Sequence, residues 1–260
     1  MNYFLKTFSS TLGKKLIMSI TGLFLCTFLV IHLIGNFQLF KDDEGLAFNS
    51  YAYFMTSFLP IKIISYFLYL SIIIHAIYAL IITRQNNKAR PIPYAVYNGR
   101  ANSSWPSRNM GILGTILLIF LVVHLSNFWA KYKFGGVAYI KYETSMDNPN
   151  QTVVTRLPIS ANVMAHVNYI DPNNRVRVLV AKDLYNIVKL SFKQWWYTAL
   201  YVISMAALGF HLVHGFKSGF ESLGWDHGKY MPAVKFVGIW GFGILIPLLF
   251  AAMPVFFYFK

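Results

Sequence analysis

Hydrophobic positions gather in five long runs, at residues 16–40, 63–82, 110–130, 195–216 and 233–259. Crossing the hydrocarbon core of a bilayer as a helix takes about 20 apolar residues, and each run reaches that length. None contains an acidic residue, and each is flanked by Lys, Arg, Trp or Tyr, the residues that anchor a span at the membrane interface. The pattern predicts an all-α membrane protein, a five-helix transmembrane bundle, with residues 1–260 forming a single membrane-anchor domain.

The polar connections differ in character. Residues 41–62 open on KDDEG and are short. Residues 83–109 carry Arg84, Lys88, Arg90, Arg100 and Arg108 and no acid. Residues 131–194 make a long polar connection with the turn sequences DNPNQ and DPNN, and within it VVTRLPI and RVRVLVA are candidates for short strands. Residues 217–232 are short and mixed. Lys and Arg in short loops mark the cytoplasmic side. The basic 83–109 connection is therefore expected there, with the N-terminus and its Lys6, Lys14 and Lys15. The 131–194 connection is expected outside, because long loops cross largely regardless of charge. The opening MNYFLKTFSSTLGKK has the basic character of a signal peptide. The run behind it is too long for a signal core and shows no small-residue cleavage site, so a retained first span is expected.

Composition agrees. The chain is 56% hydrophobic and 12% charged, where a soluble domain is about a quarter charged. A net charge of +14 would suit a nucleic-acid partner. The basic residues are instead spread over the flanks of apolar runs, so no nucleic acid is expected. Cys26 is the single cysteine and sits in the middle of a run, which excludes a disulfide framework and a thiolate metal site.

The candidate chemistry lies in the histidines. Five of the seven fall inside the runs: His32, His75, His124, His211 and His214; His166 and His227 fall in connections. An ionisable residue inside a membrane span is by default a functional candidate. With the first and third spans running outward and the second and fourth inward, His32, His75, His124 and His211 each lie about 8–12 Å below their own surface at about 1.5 Å per residue. His32 and His124 then share a depth near the outer face, and His75 and His211 one near the inner face. Two level pairs, each drawn from two helices, have the geometry of bis-histidine haem ligation. Zinc wants three or four convergent ligands, and a proton relay would recruit carboxylates, which the spans lack. Gly35, Ala79 and Gly215 follow His32, His75 and His211 on the same helix faces and leave room for a flat ring. They also suit plain helix packing. Phe128 occupies the equivalent place after His124.

At this point the sequence resembles a family: the cytochrome b membrane-anchor subunits of succinate dehydrogenase and fumarate reductase, in the single-chain, five-helix form with two haems. The resemblance covers nearly the whole chain. It rests on KKLIMSITGLFLCTFLVIHLIGN at 14–36, HAIYALIITRQNNKARPIPY at 75–94 and VVHLSNFW at 122–129. It rests above all on DLYNIVKLSFKQWWYTALYVISMAALGFHLVHGFKSGFESLGW at 183–225. It implies two haem b groups, the inner iron held by His75 and His211 and the outer by His32 and His124. In the family a glycine follows the fourth-helix ligand by four residues and another by about thirteen. Gly215 and Gly224 fit His211 in this way and do not fit His214, which is left as a propionate or quinone contact or an interfacial residue. The resemblance further implies a flavoprotein partner carrying FAD, an iron–sulfur partner on the cytoplasmic side, and a membrane quinone, menaquinone, as substrate. The chain would be the electron-transfer and quinone-reactive subunit, inactive on succinate alone, in a bacterial cytoplasmic membrane. The alternatives are a two-haem anchor of a hydrogenase or formate dehydrogenase, and a haem-free anchor or transporter. The single histidines spread over four spans favour the succinate family.

Overall fold

A computed structural model describes residues 6, 8–89, 91–92, 98–148, 151–158 and 167–260, with the backbone alone at Arg100. His166 and Arg90 lie outside the described residues. Five helices are long and apolar enough to cross a membrane: Thr11–Phe40 (span 1), Leu59–Ala89 (span 2), Met110–Phe134 (span 3), Trp195–Ser222 (span 4) and Met231–Phe259 (span 5). Every predicted run lies within one of them. The helices overrun the apolar runs because a helix satisfies its own backbone and does not stop where polar side chains begin. Span 2, for example, continues through Arg84 and Lys88. Its exposed apolar residues Ile63, Phe67, Leu70, Ile73, Ile77 and Leu80 form one stripe at helical spacing, the surface expected against lipid.

The all-α expectation is corrected by a small antiparallel sheet in the 131–194 connection: β1 (Tyr139–Ser145), β2 (Thr152–Leu157), β3 (Val167–Asp171) and β4 (Val176–Lys182), in the order β2-β1-β4-β3. The two sequence candidates became β2 and β4. β1 was missed although burial alternates from Tyr139 to Glu143, with Ile140 and Tyr142 fully buried. Its pairing partners lie on either side of it in space but up to about forty residues away in sequence (Tyr139 opposite Leu157 and Lys182). The short 41–62 connection also holds a helix, Leu46–Ser57.

The chain forms two compact units. The first comprises residues 1–33, 65–121 and 199–252, and the second 34–64, 122–198 and 253–260. In the first, Cys26 of span 1 packs with Leu212 and Phe216 of span 4. Span 4 meets span 5 through small residues. A Cβ on Gly209 would stand 2.5 Å from the carbonyl oxygen of Gly243, and one on Gly238 would stand 3.0 Å from the Phe216 ring. That stretch of span 5, Val237–Leu245, is π-helical. Such approach of helix backbones is how spans associate where lipid removes the hydrophobic drive. Span 4 ends on Gly224, at φ +77. Trp225 N–H donates to Phe220 O at 3.0 Å and Gly224 N–H to Glu221 O at 3.1 Å, with the Trp225 and Phe220 rings 5.9 Å apart. This is a Schellman stop, a sufficient structural reason for Gly224.

In the second unit, helix Leu46–Ser57 lays Leu46 and Tyr53 on the sheet face formed by Ile140, Tyr142, Leu179 and Ala181. Asn49, 1% exposed, ties the elements together. Its Nδ2 donates to Tyr142 Oη at 2.9 Å and to Asp183 Oδ1 at 3.2 Å, while its Oδ1 accepts from Tyr185 N–H at 3.0 Å. Asp183 also caps helix Leu184–Phe192 by accepting from Asn186 N–H at 3.2 Å. Tyr142 Oη donates to Glu44 O at 3.1 Å, and burial raises its phenol above the ordinary range.

Candidate functional site

His75 and His211 come from two different spans. On span 2, His75 follows the buried Leu68 by seven residues, about 20° away round the helix, on the side away from the exposed stripe. On span 4, Gly209, Val213 and Phe216 face span 5. His211 lies about 200° round from Gly209 at about 100° per residue, turned from that packing face. The two imidazoles, 136 residues apart in sequence, meet with ring centroids 6.5 Å apart and planes at 65°.

The surroundings of the pair come from two further spans. Thr21 Oγ1 of span 1 lies 3.0 Å from His75 Nδ1 and 2.7 Å from its own helix carbonyl, Ile17 O. The carbonyl only accepts, so it takes the single hydroxyl proton. Nδ1 of His75 then carries the hydrogen and donates to Thr21, and the lone pair is left on Nε2. A partner at the second ring nitrogen that fixes the tautomer in this way is the usual support of a metal-binding histidine. Gly22 lets the ring approach span 1: a Cβ there would stand 3.3 Å from His75 Cε1. A Cβ on Gly114 of span 3 would stand 3.9 Å from His211 Cε1. Nδ1 of His211 is buried and has no hydrogen-bond partner, a costly state for a polar atom in an apolar setting.

Two imidazoles from different spans at this separation, one of them with an unpartnered buried nitrogen, could together hold a metal-bearing macrocycle. Among the described residues no three His, Cys, Asp or Glu side chains converge on a point, as a bare zinc ion would require. Gly215, four residues after His211 and on the same face, has open space around its Cβ direction. Gly35 does not leave a gap: the Tyr51 ring occupies the place where its Cβ would be, so that glycine admits a side chain of its own unit.

His32 belongs to the first unit and His124 to the second. The His32 ring stacks on Phe28 at 5.1 Å and faces Phe250 at 5.7 Å. His124 ends the regular part of span 3, where π-helical Leu125–Ala130 begins. Its ring meets the edge of Phe128 at 5.4 Å. Single π turns of this kind recur at functional sites. Just beyond, Asn127 Nδ2 donates to Ser191 Oγ at 2.9 Å and Tyr197 Oη at 3.0 Å, which fixes the end of the span.

His214 is half-buried one turn beyond His211, towards the Lys217–Glu221 pair (2.9 Å). His227 accepts from Lys229 N–H at 3.1 Å in the following loop. In the basic connection, Arg108 donates to Gly99 O at 2.6 Å and to Ser103 O, so it folds the loop on itself. Arg84 and Lys88 are exposed. Glu44 is held in the second unit by Arg156 at 3.4 Å.

Sequence reasoning did not find Thr21, Gly22 or Gly114. A hydroxyl beside a glycine within an apolar run was the available signal, but its partner lies 54 residues away. Comparison with protein families, curated proteins and solved structures returned no match.

Proposed function

We propose that this chain is the two-haem cytochrome b membrane anchor of a succinate:quinone oxidoreductase, carrying electrons between an iron–sulfur partner and membrane quinone. The observation that carries the reading is the His75–His211 pair: two imidazoles from different spans at 6.5 Å, one held by Thr21 and the other with an unpartnered buried nitrogen. His75 and His211 would hold the inner haem, and His32 and His124 the outer. Bound haem supplies one-electron redox chemistry at a potential set by its axial ligands, burial and hydrogen bonds. The chain's own residues do the rest. Thr21 orients the His75 ring and keeps its proton on Nδ1. Gly22 and Gly114 give the two rings room against spans 1 and 3, and the apolar packing of Cys26, Leu212 and Phe216 keeps water from the helix interior.

In this reading the N-terminus and the 83–109 connection face the cytoplasm of a bacterium. Among the described side chains of this connection, the exposed Arg84 and Lys88 are then docking cations for the flavoprotein and iron–sulfur partners, and Arg108 is spent on its own loop. Menaquinone is the expected quinone. The test is a redox titration of the purified subunit with its pyridine haemochrome content. Two b-type components and two haems per chain are expected; a haem-free preparation with intact secondary structure would overturn the reading.

A further inference from the structure

One cleft of the second unit, of about 260 Å³, gathers three ammonium groups, Lys62, Lys133 and Lys182, with the hydroxyls of Thr56, Ser57 and Tyr132. Lys62 stands three residues inside the start of span 2, and Tyr132 and Lys133 belong to the last residues of span 3. The cleft is therefore at the level where a span leaves the hydrocarbon. Its floor is well fixed. Tyr132 is buried, its hydroxyl lies 3.3 Å from Thr56 Oγ1, and its ring lies under Lys182 Nζ at 5.1 Å. Lys182, on strand β4, donates to Tyr132 O at 2.5 Å.

Lys133 and Lys182 lie close enough in this cleft for their like charges to repel. Burial, and then the nearby Lys133, lower the basicity of Lys182. An anion with several acceptor oxygens would offset the repulsion and take the ammonium and hydroxyl donors together. A phosphate oxyanion has that form. Its source is indicated by the helix ends that supply the cleft, where Phe58, Leu59, Ile63 and Phe134 are large exposed apolar residues. They suit acyl chains descending from a headgroup.

We propose that the cleft formed by Lys62, Lys133 and Lys182 binds the phosphate headgroup of an anionic phospholipid. The site does not depend on the haem reading and tests apart from it. The full-length protein, delipidated in detergent, is titrated with phosphatidylglycerol, phosphatidylcholine and inorganic phosphate, with adducts counted by native mass spectrometry. Phosphatidylglycerol should bind in preference to the other two. A charge near the membrane surface contributes about five-fold in lipid affinity, so the double variant Lys62→Gln/Lys133→Gln should bind about 25-fold more weakly. Lys193→Gln, with a lysine removed outside the cleft, should bind as the parent does, and Lys133→Arg should keep the affinity. Unchanged binding by the double variant overturns the proposal, as does equal loss in Lys193→Gln or equal binding of phosphatidylcholine. Inorganic phosphate binding as tightly as phosphatidylglycerol would make this a free-anion site and overturn the lipid assignment.

Discussion

Thr21 Oγ1 stands 3.0 Å from Nδ1 of His75, and its own proton is directed to Ile17 O at 2.7 Å. One hydroxyl on span 1 thereby sets which nitrogen of a span 2 histidine is free to bind. Thr21→Ala should weaken haem binding by the inner pair or shift its midpoint potential, and Thr21→Ser should restore both. Loss of such a partner typically costs about 10–100-fold in affinity or activity. Redox titration with haem counting reads the effect. Equal behaviour of Thr21→Ala and the parent would remove Thr21 from the site.

His75→Ala and His211→Ala should each abolish the same haem signal, because the two rings face each other. His32→Ala and His124→Ala should abolish the other. His214→Ala should leave both haems bound and at most shift a potential, since forfeiting one hydrogen bond to a charged group costs about 1.5–3 kcal/mol. Optical and paramagnetic resonance spectra of the five variants separate these outcomes. Haem loss in His214→Ala with retention in His211→Ala would move the ligand by one turn.

Two glycines of span 4 should respond differently. Gly209→Ala places a methyl group 2.5 Å from the backbone oxygen of Gly243, which cannot turn aside. Forced overpacking costs about 1–3 kcal/mol, so the thermal midpoint in detergent should fall. Gly215 has nothing within 4 Å of its Cβ direction. Gly215→Leu should therefore keep the haem-free protein stable while reducing haem content, if that space receives the flat ring. A stable Gly215→Leu with full haem would place the ring elsewhere.

Asn49→Leu should destabilise the second unit. It removes the donor to Tyr142 and Asp183 and the acceptor for Tyr185 N–H at a site 1% exposed. Each buried polar group left without a partner costs about 1–3 kcal/mol. Limited proteolysis of the 131–194 region should quicken, while unfolding followed at the span 4–span 5 contact changes little. Proteolysis at the parent rate would show that water replaces the lost amide.

By itself the sequence determined where the chain is helical in the membrane, because a span's signal is local: twenty-odd apolar residues with interfacial flanks. It also placed the five span histidines, and residue counts put His75 and His211 at like depth. It carried no information on which helix face turns inward, so Tyr51 could not be foreseen at Gly35, nor Thr21 at His75. The sheet was half legible. β2 and β4 show as branched apolar stretches, whereas β1, with Lys141 and Glu143 on one face, reads as polar until β2 and β4, both later in the sequence, pair with its edges and helix Leu46–Ser57 covers its other face. Tertiary structure alone decided the facing of His75 and His211 and the convergence of Lys62, Lys133 and Lys182. Both depend on side chains brought together across long sequence separations by packing, a relation that no local period in the chain encodes.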